Sequence, residues 1–359
     1  MPSVLIPTDD MMIIPGIAGE YARRGFGVVV GTKNFFLGLH HADLVHVQWP
    51  EELAGWNLPS RETFNQIRDA LTGWVNRCPL LVSVNNLYPH GYERHPVMKE
   101  LYELFYERCS GILHYCETSR RLVLQEFPSA QNKSHVVTNY FCYDRLLPKQ
   151  LDRRKARQSF GFGDETFVIL VFGALRFWSE VRLIQRAYDE ARVRGKSLLM
   201  AGRFVEASGR WKRRARQLRW QSWLKLRRAH AVYEYIPDSG VHRYVEAADA
   251  VLVPRLRDMT SGLVGLGLTF SRTIIAPNHG AYPDYLAGTE NPLYESGDAR
   301  SLARAIEKAA AMDRSQVEQQ NRQLADKWTW QSLIGAGLQI VKRPEEQQRR
   351  PDELCSTAP

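Results

Sequence analysis

Short apolar runs separated by longer helical patterns recur along this chain in two successive series. Residues 4–6, 28–30, 44–47, 80–84, 111–115 and 135–137 form the first series, with helical patterns such as 61–76 and 96–109 between them. A polar, basic stretch at 149–158 and the turn Gly161-Phe162-Gly163-Asp164 interrupt the pattern. It restarts at 167–172, which holds no polar residue, and continues through 197–201, 231–235, 250–253 and 273–276. Apolar strands alternating with helices predict a parallel sheet with helices on both faces. Two such series predict an α/β protein of two Rossmann-like domains facing across a cleft. The expected divisions are 1–148, 149–327, a final helix at 328–342, and a charged, aperiodic tail at 343–359 that is expected to be disordered. Ligands of open α/β sheets sit at the carboxyl ends of the strands, so the loops there are where a site is sought.

Composition narrows the function classes. The 359 residues suffice for two ordinary domains, and a content of 44% hydrophobic and 24% charged residues excludes wholesale disorder. The longest apolar run, 167–175, is far short of the roughly 18–20 residues that a membrane-spanning helix needs. The opening MPSVLIPTDD has no basic segment before its apolar stretch, so no secretory signal is expected. The cysteines, Cys78, Cys109, Cys116, Cys142 and Cys355, are scattered without metal or redox spacing, which predicts reduced thiols and a cytoplasmic location. A net charge of +9 favours an anionic partner: nucleic acid, anionic lipid or a phosphorylated small molecule. The motifs G-x-x-x-x-G-K-[ST], G-x-S-x-G and H-E-x-x-H do not occur. The turn after the first strand, Pro7-Thr8-Asp9-Asp10, has no G-x-G-x-x-G, which argues against a nicotinamide enzyme.

The most informative segment runs from Pro254 through Arg257-Asp258-Met259-Thr260-Ser261-Gly262-Leu263 to Pro277: a strand end, a polar loop, an apolar helix and a further strand. Free N–H groups and the positive end of the helix dipole at Thr260–Leu263 suit a diphosphate. A plain N-cap at Thr260 or Ser261 is the simpler reading of the same three residues. The surroundings add to it. The run Tyr235-Ile-Pro-Asp238 through Ala247-Ala-Asp249 to Pro254, then "TIIAPNHGAYPDYL" and "ENPLYESGDARSLARAIEKA", resembles the donor half of GT-B glycosyltransferases of the family 4 type. Arg257-Asp258-x-x-Ser261-Gly262 is similar to the "Y-R-D-x-x-x-S-G" loop of an exopolysaccharide-associated subset. In the first half, Asp43-Leu-Val-His46-Val-Gln-Trp49-Pro50-Glu51 and Val82-Ser-Val-Asn85-Asn86-Leu-Tyr-Pro89-His90 resemble strand ends of that subset. Residues 328–341 resemble its helix that crosses back to the N-terminal domain. The similarity extends over residues 1 to about 341 as many weak matches.

This resemblance implies a retaining transferase that needs no metal and no cofactor. A nucleoside-diphosphate sugar would be the donor, and a saccharide or polyprenyl-linked saccharide the acceptor. It implies Asp258 and His90 as catalytic groups, Arg176, Arg257, Thr260, Ser261, Gly262 and Leu263 at the donor, and Trp49, Glu51, Asn85 and Asn86 on the acceptor side. The bland alternatives are a surface arginine at 176, a turn-capping histidine at 90, and a packing indole beside a solvated acid at 49 and 51. Four positions depart from the family pattern. Leu266 stands where an acid would accept from the ribose. Ala174 and Ser179 replace an expected Arg and Lys, leaving Arg176 as the local cation after that strand, and Asn85 replaces the usual His. These losses keep open a non-catalytic relative that binds saccharide or scaffolds a synthesis complex.

The window 203–228 holds ten basic residues, Arg203, Arg210, Lys212, Arg213, Arg214, Arg216, Arg219, Lys225, Arg227 and Arg228, against the single acid Glu206. Trp211, Trp220 and Trp223 interleave them. Cations beside indoles suit an anionic membrane surface and would make the protein peripheral to the membrane. A solvated helix with a few packed tryptophans has the same composition, and nucleic acid is the less favoured partner.

Overall fold

A computed structural model describes residues 1–9, 13–89, 91–92, 94–143, 146–147, 152–203 and 210–341, with the side chains of 210–213 left aside. His90 and the tail from 342 onward fall outside these residues. The chain forms two compact units, Met1–Asn139 together with the chain from Trp330, and Tyr140–Thr329.

The first unit begins with β1 (Ser3–Ile6), α1 (Ile14–Arg23), β2 (Gly27–Val30), α2 (Thr32–Leu37) and β3 (Leu44–Val47). α3 (Arg61–Val75), β4 (Leu80–Ser83), α4 (Pro96–Arg108), β5 (Gly111–His114), α5 (Glu117–Glu126) and β6 (Ser134–Val137) follow. All six strands are parallel, in the order β2-β1-β3-β4-β5-β6. β3, β4 and β5 are buried at every position, as strands covered on both faces must be.

The second unit repeats the plan. α6 (Arg153–Gln158) leads into β7 (Phe167–Phe172), α7 (Trp178–Glu190), β8 (Lys196–Ala201), α8 (Arg210–Leu226) and β9 (His230–Val232). Then come α9 (Asp238–Ala247), β10 (Ala250–Leu252), α10 (Gly262–Thr269), β11 (Thr273–Pro277), α11 (Tyr282–Tyr285), β12 (Leu293–Tyr294), α12 (Ala299–Ala311) and α13 (Arg314–Ala325). The parallel order is β12-β11-β10-β7-β8-β9. β12 is absent from the sequence expectation because two residues are too few to show a period. The unit opens at Tyr140 rather than at the basic stretch because its aromatic start packs within it. Tyr140 lies 5.5 Å from Tyr285 and 5.9 Å from Trp328, and the Tyr143 N–H donates to Thr269 Oγ1 at 2.8 Å. Asp249, at the strand entrance, accepts from Val168 N (2.7 Å) and pairs with Arg153 (2.5 Å) and with the buried Arg157 (3.1 Å).

The last helix, α14 (Trp330–Val341), belongs to the first unit and packs on α1, β4, β5 and β6. Trp330 lies flat against Gly16 of α1, where a Cβ would collide with the indole. Leu333 and Ile334 are fully buried.

Candidate functional site

In the second unit β7 comes first in the chain, and the strands after it are laid down on both of its sides. Its neighbours β8 and β10 therefore leave in opposite directions, and the loops after β7 and β10 part at their carboxyl ends. A crevice at such a reversal of strand order is where open α/β sheets bind ligands. Arg176 follows β7 and Asp258 follows β10, and the structure joins them across this point: Arg176 Nη1 donates to Asp258 Oδ2.

A second arginine completes the group. Arg255 Nε lies 3.5 Å from Asp258 Oδ2, close enough for an ion pair, while Arg255 Nη1 donates to Glu180 Oε1 at 3.1 Å and to the Ala174 carbonyl at 3.0 Å. Glu180 Oε2 in turn accepts from the backbone N–H of Arg176 (2.7 Å) and Phe177 (3.2 Å), so one carboxylate caps α7 and holds both arginines in place. The side chains of Glu180 (1% exposed), Asp258 (3%) and Arg255 (6%) are buried, whereas that of Arg176 is 32% exposed. Arg176 is thus the member that meets solvent, and Asp258 lies beneath it. Burial, and then the neighbouring Arg255 cation, lower the Arg176 guanidinium below its ordinary pKa.

Two loops brace the Asp258 segment. His279 Nε2 donates to the Asp258 carbonyl (3.1 Å), Ala281 N to the Met259 carbonyl (2.9 Å), and Ser296 Oγ to the Leu256 carbonyl (3.1 Å). Gly280 makes this contact possible. Its φ is +57°, and a Cβ there would stand 2.6 Å from the Met259 carbonyl oxygen. Tyr282 is buried directly beside this group, and its hydroxyl makes no hydrogen bond among the described residues. Burial first, and then the Asp258 charge, raise its pKa well above the ordinary phenol value.

The remaining donor-side candidates fall into place around this core. Ser261 is the N-cap of α10 and accepts from Leu263 N at 3.4 Å. Thr260 is buried, Arg257 is exposed, and Tyr143 Oη approaches Gly262 so closely that a Cβ there would meet it at 2.5 Å. Leu266, at the position of the missing acid, is buried within α10. Arg255, Glu180 and Tyr282 were not among the sequence candidates. Arg176 is the cation of the loop after β7, and a second one, Arg255, reaches it from the loop after β10 and stands against the Ala174 carbonyl. The only sequence signal for it was a basic residue three positions before Asp258. Among the described residues no three His, Cys, Asp or Glu side chains are placed to hold a metal ion.

The acceptor-side candidates lie in the first unit, and two of them face inward. Glu51 is fully buried, contrary to the reading of a solvated acid. Tyr102 Oη donates to its Oε2 at 2.8 Å, Oε1 has no partner among the described residues, and burial pushes its pKa up to about 7. Asn85 is also buried, and its Nδ2 donates to the Gln48 carbonyl (3.0 Å) and to Gln48 Oε1 (3.3 Å). His46 Nε2 lies 2.9 Å from Gln48 Nε2 and 2.8 Å from Ser83 Oγ, and its Nδ1 lies 2.9 Å from Tyr21 Oη. Burial keeps His46 neutral, with a pKa down to about 3. Asn85 is therefore part of a fixed internal network. Trp49 and Asn86 are half-buried, and the Trp49 ring lies 5.7 Å from that of the exposed Trp56.

In the basic helix α8 the two described indoles follow the packed-tryptophan reading. Trp220 is 1% exposed, stacks on Trp223 at 5.1 Å, and donates to Met200 Sδ at 3.2 Å. Trp223 donates to Asp189 at 3.2 Å and is half-buried. Trp220 sits in the domain core and Trp223 packs against it, partly buried, while Trp211 lies among the side chains not described. Arg214, Arg219, Lys225 and Arg228 remain exposed. Among the described residues no helix is long and apolar enough to cross a membrane.

With this geometry in hand, solved structures place the architecture. The chain matches sucrose-phosphate synthase from Thermosynechococcus elongatus with a TM-score of 0.67 at 13% identity, covering 95% of this chain and 97% of that one. It matches Anabaena HepE in complex with UDP and glucose with a TM-score of 0.66 at 13% identity, over 95% and 98% of the two chains. The catalytic domain of Arabidopsis thaliana starch synthase IV, bound to ADP and acarbose, gives 0.66 at 9% identity, over 96% and 100%. The fold is GT-B. No family model matches the sequence, and no curated protein matches it. The GT-B likeness is therefore one of architecture, spread over nearly the whole chain.

Proposed function

We propose that this GT-B protein is a glycosyltransferase that moves a sugar from a nucleoside-diphosphate donor to a saccharide or polyprenyl-linked saccharide, with retention of configuration and without a metal ion. The observation that carries this reading is the Arg176–Asp258–Arg255 group at the strand-order reversal of the second unit. The fold neighbours add support, because several were crystallised with UDP, UDP-glucose or ADP.

The group is electrically balanced when empty, with two guanidinium and two carboxylate charges. An arriving diphosphate brings negative charge, and the half-exposed Arg176 is free to swing from Asp258 to a phosphate oxygen. The exposed Arg257 and the N–H groups from Thr260 to Leu263 supply further positive potential. Asp258, released from Arg176 and still steadied by Arg255, then faces the donor sugar. Charge developing on the departing diphosphate would be met by fixed donors, and such preorganised stabilisation is commonly the largest part of a rate enhancement. We place the activity in exopolysaccharide or other glycan synthesis on the cytoplasmic side of a membrane. The exposed cations of α8 would hold the protein there by charge alone.

A second reading, a non-catalytic saccharide-binding relative, draws on Leu266 and on the burial of Asp258 beneath a guanidinium. Two experiments separate the readings. In a thermal-shift screen against UDP, GDP, ADP and CMP, one nucleotide should raise the unfolding temperature. A ligand at 100 times its Kd adds about 2.7 kcal/mol. Arg176→Ala should abolish that shift. If no nucleotide stabilises the wild type, the donor site is wrong. If one does but no donor sugar is hydrolysed or transferred, the second reading holds.

A further inference from the structure

A groove of about 780 Å3 runs along α7 and the start of α12 in the second unit. That volume lies within the range of roughly 300–1,000 Å3 typical of small-molecule sites. Its floor is apolar, from Leu183 and Leu256, and its walls carry Arg182 and Arg186 of α7 and Arg300 of α12. Arg182 and Arg186 are exposed and one helical turn apart, a spacing at which like charges repel. Neither makes an ion pair or a hydrogen bond among the described residues.

Each acid that lines the groove already has a partner, and that of Glu190 is the groove's own Arg300. Asp189 accepts from Arg227 Nε (2.8 Å) and Trp223 Nε1 (3.2 Å). Asp298 caps α12 through Arg300 N (2.8 Å) and Ser301 N (3.2 Å). Glu190 reaches only Arg300, at 3.6 Å. Arg182 and Arg186, with no ion-pair partner among the described residues, therefore stand over an apolar floor. We propose that this groove is a second anion site, built for a soluble small molecule that joins a phosphate group to a sugar-sized or smaller body.

The walls of the groove are the backs of the loops that hold Asp258. Ser179 precedes Glu180, which carries Arg255 and the Arg176 backbone, and Leu256 lies between Arg255 and Arg257 with its carbonyl tied to Ser296. A ligand here bears on both loops, so it modulates donor binding, and the donor alters its affinity by the same factor. This coupling rests on the donor reading given above, whereas the existence of the groove site does not.

Calorimetric titration of the full chain with inorganic pyrophosphate tests both. The wild type should bind at two sites. The R182A/R186A variant should weaken one of them at least tenfold and keep the other, and R176A should weaken only the other. R192A/R194A, which removes equal charge from the same unit, should bind as the wild type. The groove site is overturned if R182A/R186A titrates like the wild type, if R192A/R194A loses as much, or if pyrophosphate does not bind. A single site lost in R182A/R186A but untouched by R176A would uphold the groove and sink the donor site instead. Cosedimentation with phosphatidylglycerol vesicles that needs Arg182 and Arg186, without pyrophosphate binding, would overturn the soluble ligand.

Discussion

Replacing Arg255 with methionine should be among the most damaging single changes in the second unit. The side chain makes three polar contacts, to Glu180 at 3.1 Å, the Ala174 carbonyl at 3.0 Å and Asp258 at 3.5 Å. Methionine fills a similar volume, so packing loss is small and the effect is electrostatic. The substitution leaves the Glu180 carboxylate without its cation at a site 1% exposed. Breaking a buried pair from one side costs about 3–5 kcal/mol, because an uncompensated charge stays inside. In a unit of this size each kcal/mol moves the midpoint by about 2–4 °C, so a fall of roughly 6–20 °C is expected. Arg227 provides the contrast. Its pair with Asp189 at 2.8 Å is about one-third exposed on each side, and R227M should cost no more than about 1 kcal/mol. Adding Glu180→Gln to R255M removes the stranded charge and should recover about half of the loss or more. Guanidinium unfolding followed by tryptophan fluorescence, with calorimetry alongside, reads all four proteins. An R255M variant within about 1 kcal/mol of the wild type, or a double variant no better than R255M, would refute the argument that buried charge balance builds this site.

Further predictions concern separate elements. Asp258→Asn should fold and still bind nucleotide, yet lose transfer by a hundredfold or more, checked by donor turnover against nucleotide titration. Gly280→Ala should raise the donor Kd at least tenfold, since the Cβ would press on the Met259 carbonyl and strain a φ of +57°; equilibrium binding measures it. Glu51 has a pKa raised to about 7 by burial, against an ordinary 4.5, so it favours the folded state while protonated. Stability should therefore fall as pH rises from about 4.5 to about 7, by on the order of 3 kcal/mol. Glu51→Gln should flatten that slope in urea titrations across the same range. Trp220→Ala should cost about 3–5 kcal/mol, the usual price of removing a buried indole, while charge reversal at Arg214 and Arg219 should leave stability within about 0.5 kcal/mol and weaken vesicle binding.

The strands were readable because each is a short run of apolar residues between turn signals, and the alternation fixes a parallel sheet. β9 shows the limit. Its run looks longer in sequence, 231–235, than the observed His230–Val232, because an edge strand pairs only as far as its neighbour continues. Arg176 and Asp258 were legible as residue types at strand ends, but their union was not. They lie 82 positions apart and meet only because the sheet reverses its order between them. Arg255 was overlooked for the same reason: its partner Glu180 comes from the first turn of α7, on the other side of the reversal. Trp220 and Trp223 show a different limit, since two readings of their window stayed open. Composition records that indoles accompany cations and cannot tell which side of a helix meets the core. The aromatic stretch from Tyr140 likewise reads as a continuation of the first series until its partners Tyr285 and Trp328 are known.

Because α14 completes the first unit from the far end of the chain, the two units differ in when they can finish during synthesis. The sheet face around Leu81 and Leu113 stays uncovered until Gly337 settles against those leucines. The second unit, by contrast, is one unbroken stretch, Tyr140–Thr329. On a ribosome releasing residues in order, the later unit is therefore whole before the earlier one. The nascent first sheet must wait, greasy side bare, for its own last helix to emerge, and this is the interval in which a chaperone or a premature stop would matter most.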